Sequence, residues 1–147
     1  MKAGRFTTRK AIREKLKAIL LNATDAGCNV FATFPRHTQE YQWPAIFIYP
    51  NEEDYTKINV TPKTTRRDLS LRIEIIAADS DECDTVDILD TIADQIETVV
   101  NASDDLGKLV HDINIDKARG AYSLDGPTPE GAWVMDFYIV YLKQPGA

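Results

Sequence analysis

Two histidines, two cysteines and one dense acidic stretch are the groups in this sequence whose types suit chemistry. A thiol beside an imidazole makes a nucleophile–base pair, because the imidazole takes the thiol proton and leaves an attacking thiolate. Cys28 and Cys83 are far in sequence from His37, in PRHTQEYQWP, and from His111, in LVHDINI. Their pairing through space stays open, since such constellations are built by geometry and not by sequence position. No nearby string has the form of a nucleophile elbow. A small cytosolic enzyme using His37 or His111 with a carboxylate is therefore the competing reading from another class. No CxxC, HxxxH or HExxH spacing occurs, which leaves a zinc site unsupported. The run DSDECDTVDILD offers carboxylates to calcium but lacks the central glycine and closing glutamate of an EF-hand loop. Neither GxGxxG nor GxxxxGK[ST] is present to cradle phosphate. The expectation is no catalytic residue, no metal and no cofactor, with both cysteines free thiols acting as small apolar residues.

The chain that would position these groups has 147 residues, a length that suits one domain with a real core. It carries 17 Lys and Arg against 23 Asp and Glu, a net charge of −6. Such a balance repels phosphate and speaks against a general nucleic-acid binder. No apolar run approaches the roughly 20 residues that span a bilayer, so no membrane role is expected. The basic start MKAGRFTTRKAIREKLK has no apolar stretch behind it, as a secretory signal would.

Periodicity supplies the elements. Ile12, Leu16, Ile19 and Leu20 fall on one face of a helix from Thr8 to Leu21, capped by Thr7 or Thr8. NVFATF, Asn29 to Phe34, reads as a short strand, and PAIFIYP, Pro44 to Pro50, as a buried one. Residues 51–64 form a polar stretch, read as a long loop or an irregular hairpin arm. TRRDLSLRIEIIAA then alternates cleanly, with Leu69, Leu71, Ile73 and Ile75 on one side. A second helix opens near Asp79, with Ser80 or Asp81 as its cap. Val86, Leu89, Ile92, Ala93, Ile96, Val99 and Val100 line its apolar face. Leu109 to Ala118 reads as a strand with Leu109, His111, Ile113 and Ile115 together. RGAYSLDGPTPEG reads as a turn-rich connection. Ala132 to Lys143 closes the chain as a long strand with Trp133, Met135, Phe137, Ile139 and Tyr141 on one face. The order α-β-β-β-α-β-β predicts one α+β domain over 1–147, a mainly antiparallel sheet with two helices packed on one face.

The mean charge hides a strong segregation. Residues 1–20 hold seven basic residues and one acidic, whereas residues 79–105 hold ten acidic residues and no basic one. Two unlike patches on one subunit are what a head-to-tail assembly requires. The candidate interface residues are Lys10, Arg13 and Lys17 on the first helix, and Glu52, Glu53 and Asp54 in the polar stretch. Arg66, Arg67, Arg72 and Glu74 on the alternating strand, and Asp84 and Asp87 on the second helix, complete the set. The bland reading of each is a solvated face without a partner. The polar stretch, if a loop, is expected to be mobile and to order against a partner.

Element order and local strings together resemble the minor tail protein U, or tail terminator, family of long-tailed phages. The strings are WPAIFIYP, the E-E-D-Y-T stretch, RRDLSLRIEI, LDTIADQIE and the closing FYIVYL. The resemblance runs from about Ile12 to Leu142. It implies a structural protein and no enzyme: a subunit of a ring, usually hexameric, that caps the tail tube, stops its polymerisation and offers a head-joining surface. The implied partners are further copies of itself, the major tail tube protein and a head-completion or neck protein. DNA only passes through the ring, and no small-molecule substrate is implied. The implied location is the head-proximal end of the virion tail, after assembly in the host cytoplasm. A head–tail connector or tail-completion protein is the alternative within morphogenesis, and a chaperone-like or regulatory binding module, monomeric or dimeric and without rings, is a third class.

Overall fold

The computed structural model describes residues 7–35, 43–60, 63–79, 84–103, 105–123 and 130–144. The first helix, α1 (Arg9–Leu20), begins where the Thr8 side chain accepts a hydrogen bond from the Ala11 backbone N–H at 3.2 Å. A cap of this kind contributes about 1 kcal/mol. The helix buries Ile12, Leu16 and Leu20. Its exit turns through Asn22 and Gly27, both at positive φ, with the Asn22 N–H donating to the Gly27 carbonyl at 2.8 Å.

Strand β1 (Val30–Phe31) follows, and is only two residues long. Strands β2 (Ala45–Val60) and β3 (Lys63–Ala78) form one long hairpin of 16 residues each. The second helix, α2 (Thr85–Asn101), leads to β4 (Asp112–Ser123) and β5 (Glu130–Lys143). The five strands lie in the order β1-β2-β3-β5-β4. β1 pairs in parallel with β2, and all other pairings are antiparallel. The α+β class and the element order therefore agree with the sequence pattern, with one parallel pair at the β1 edge.

Both helices lie on one face of the sheet. Leu69, Leu71, Ile73, Ile75 and Ala77 of β3 and Met135, Phe137, Ile139 and Tyr141 of β5 form one apolar cluster with the α1 residues and with Leu89, Ile92, Ile96 and Val100 of α2. Each large side chain so buried contributes roughly 1.5–3 kcal/mol before the entropy of ordering is subtracted. On the opposite face Phe31 stacks on fully buried Phe47, ring centroids 5.5 Å apart.

Several expectations from the sequence are corrected. Of the two readings of residues 51–60 the loop is overturned and the irregular hairpin arm holds: they are strand and pair with β3 out to Val60 and Lys63. α2 starts at Thr85 with Asp84 as its cap, accepting from the Asp87 N–H at 2.9 Å. Asp79 instead holds the entrance to this helix, accepting from both the Thr85 N–H and the Thr85 hydroxyl. These bonds, side chain first, pull the Asp79 carboxyl below its ordinary value. Ser80, Asp81 and Cys83 lie outside the described residues. Val86 is 48% exposed and turned away from the core. β4 starts three residues later than the pattern suggested and continues through Arg119-Gly-Ala-Tyr-Ser123, which is strand rather than turn. Ile115 keeps the side of Ile113, opposite Phe137, yet is 42% exposed on this edge strand, so only Ile113 of β4 is buried; the register shifts after it, between Ile115 and Lys117.

Candidate functional site

The candidate residues fall into three surface groups, each set by the register of one element. The first lies where the β2–β3 hairpin leaves the helices. Glu53 faces Leu69 across the hairpin and so points to the helix-bearing side. There it makes an ion pair with Arg67 at 3.0 Å and accepts a hydrogen bond from the Tyr141 hydroxyl at 2.6 Å. The Glu53 side chain is 4% exposed. Arg67 also donates to Thr65 Oγ1 and lies over the Tyr55 ring, 3.9 Å from its centroid. Burial, and then the bond to Glu53, push the Tyr141 hydroxyl above its ordinary value, because both disfavour its anion. Glu53 and Arg67 were expected on a free surface. The structure ties them into the subunit itself, while Glu52 and Asp54 stay exposed.

Beyond this clamp the hairpin continues as an arm. Tyr55, Ile58 and Val60 are 59%, 50% and 76% exposed. The described part of the arm beyond Asp54, residues 55–60 and 63–67, holds Lys57, Lys63, Arg66 and Arg67 and no acidic residue. The fixed strand pairing of residues 51–60 replaces the mobile loop expected from composition.

The second group crosses the face that carries no helix. Arg72 and Asp136 are opposite each other on β3 and β5 and pair through Arg72 Nε and Asp136 Oδ1 at 2.9 Å. Asp136 is almost fully buried, and the pair holds the Arg72 guanidinium above its already high ordinary value. Beside it the Tyr49 hydroxyl donates to Glu74 at 2.5 Å. Burial first, and Glu74 next, raise the Tyr49 hydroxyl. Arg66 pairs with Asp68 at 2.8 Å near the exposed end of the same face. Sequence reading placed Arg72 and Glu74 on the polar side of their strand, as observed. It missed Asp136 and Tyr49, whose only signal was their position opposite these residues once the register is known.

The third group is the outer faces of the helices. Lys10 is exposed and Lys17 half-buried on α1, while the Arg13 guanidinium donates to the Ala32 carbonyl at 2.7 Å and is committed inside the subunit. On α2 Asp84, Asp87, Asp90 and Asp94 are exposed. The three ion pairs among the described residues use none of the carboxylates of α2.

Of the groups that suggested enzyme chemistry, Cys28 and His111 are among the described residues. Cys28 is an exposed free thiol, not an apolar filler. His111 is exposed just before β4, and its backbone N–H donates to the Val140 carbonyl at 2.8 Å. His37 and Cys83 lie outside the described residues. Among the described residues no cluster of three or more His, Cys, Asp or Glu could hold a metal ion. No described helix is long and apolar enough to cross a membrane.

The family model for phage minor tail protein U matches residues 7–141, and the chain belongs to that family. It is thus a structural phage tail protein located in the virion. A chain in the solved structure titled "Virion of native gene transfer agent (GTA) particle" is similar over 85% of this chain and 84% of that chain, at 10% identity and a TM-score of 0.33. No curated protein matches the sequence.

Proposed function

We propose that the protein is a tail terminator and not an enzyme. Its subunits close into a ring, hexameric by the family resemblance, on the head-proximal end of the tail tube. The ring stops tube polymerisation and presents the surface to which a head-completion or neck protein joins. The observation that carries this reading, beside family membership, is the separation of unlike surfaces on one subunit. α1 and the hairpin arm are basic, whereas the outer face of α2 is acidic. Unlike patches meet heterologously, and a heterologous contact repeated by rotation closes a ring. Complementary charge then fixes register and partner choice more than raw affinity. An acidic lumen would let DNA slide by repelling its phosphates.

The test is tail-tube assembly from the purified major tail tube protein with and without this chain. Rings in negative stain at the tube ends, and tubes that stop growing, are the expected result. Tubes that lengthen equally in its presence, with the chain found instead on head connectors, would move it to the neck.

A further inference from the structure

We infer that the hairpin arm is the docking element of the ring, and that it takes the acidic outer face of α2 of a second copy. This deepens the terminator reading and rests on it. On the helix-bearing side the last buried rung of the sheet is Arg67 and Tyr141, packed by Glu53. From there the arm runs on for about 13 Å, and past Tyr55, which shares a cavity wall with Arg9 at the start of α1, no described helix packs over it. Residues directly opposite in an antiparallel pair share a face. Tyr55, Lys57, Val60 and Lys63, opposite Arg67, Thr65, Lys63 and Val60 respectively, therefore continue the side on which the sheet elsewhere carries helices. That side of the arm is apolar and basic, with Val60 76% exposed.

The surface that matches it is on the same chain. Asp87, Asp90 and Asp94 form one stripe along α2, spanning on the order of 10 Å, and Val86 stands exposed beside Asp90. Lys57 and Lys63 are two rungs apart, about 7 Å along the ribbon, so two long side chains reach two carboxylates of that stripe while Val60 meets Val86. The two surfaces cannot meet within one subunit. The start of α2 packs at Gly131, where Thr85 Cγ2 lies 2.7 Å from where an added Cβ would sit. Gly131 pairs with Ala77, at the opposite end of β3 from Lys63 and on the order of 45 Å away. The contact is thus heterologous by construction, arm of one copy to helix of the next.

Three full-length variants test this by light scattering against concentration: K57E with K63E, D87K with D90K, and all four together. All four positions are exposed, and circular dichroism checks that each variant folds. Each reversed pair is expected to raise the concentration needed for assembly at least about tenfold, and the combined variant to return within about threefold of the unmodified chain. The milder K57Q with K63Q is expected to shift assembly in the same direction by less. Rings that form equally well in both reversed variants, or a combined variant no better than either, overturn the inference and leave the terminator reading standing. An unmodified chain that forms no ring, alone or on tube ends, overturns both.

Discussion

Glu53 holds two partners at the point where the hairpin leaves the helices, Arg67 and Tyr141. Replacing it with alanine leaves the Arg67 guanidinium and the Tyr141 hydroxyl facing each other without their shared acceptor. Breaking a buried ion pair from one side costs about 3–5 kcal/mol, most of it the penalty of the charge left behind. Arg67 is 13% exposed and keeps Thr65 and the Tyr55 ring as partners, which sets the loss near the lower end, about 3 kcal/mol. Domains of this size have only about 5–15 kcal/mol in hand, so this is a large fraction. It corresponds to a fall in midpoint of roughly 6–12 °C. Urea titration followed by circular dichroism measures it, with exposed Glu52→Ala as the control, expected within about 0.5 kcal/mol of the unmodified chain. Arg67→Met made together with Glu53→Ala is expected to recover part of the loss, because the orphaned charge is gone. A Glu53→Ala loss below about 1 kcal/mol would refute the reasoning, since that is how a solvent-screened surface pair behaves.

Asp136→Ala strands the Arg72 guanidinium on the opposite face and is expected to cost about 2–4 kcal/mol in the same titration. Gly131→Ala places a methyl against Thr85 Cγ2 and the Tyr122 ring, each 2.7 Å away, and is expected to lower stability by about 1–3 kcal/mol by overpacking. Tyr49 and Tyr141 ionise less readily folded than unfolded, so their contribution is whole below their ordinary value of about 10 and is lost as pH rises beyond it. Urea midpoints should therefore fall progressively as pH rises above about 10, and Tyr141→Phe should flatten that fall.

Most of the framework was legible because burial leaves a period in the sequence. The steps of three and four in α1 and α2 and the alternation of Leu69, Leu71, Ile73 and Ile75 each report one buried face. The β2 side of the arm, residues 54–60, was hard to tell from a loop because neither of its faces is buried, so nothing imposes alternation. β4 misled for a related reason: as an edge strand with only Ile113 buried, its apolar residues carry little information on register. The site was legible only as charge. Glu53, Arg67 and Arg72 were singled out as candidate interface residues, but partner choice depends on cross-strand register, which no local string encodes. The Arg13 bond was illegible for the same reason, since it reaches a carbonyl 19 residues away.

The sheet order also sets a timetable for making the subunit. β3 is the central strand, yet its second neighbour is β5, so that Thr65 bonds to Lys143 across 78 residues of chain. The β2–β3 hairpin closes locally and early, while the long loop to β5 closes late because distant pairing is entropically slow. In that interval a nascent chain shows a long unpaired edge on β3. At high concentration the β5 of another chain is a competitor for that edge, and the product would be a strand-exchanged pair. Early synthesis at modest level, before tubes accumulate, would favour correctly closed subunits.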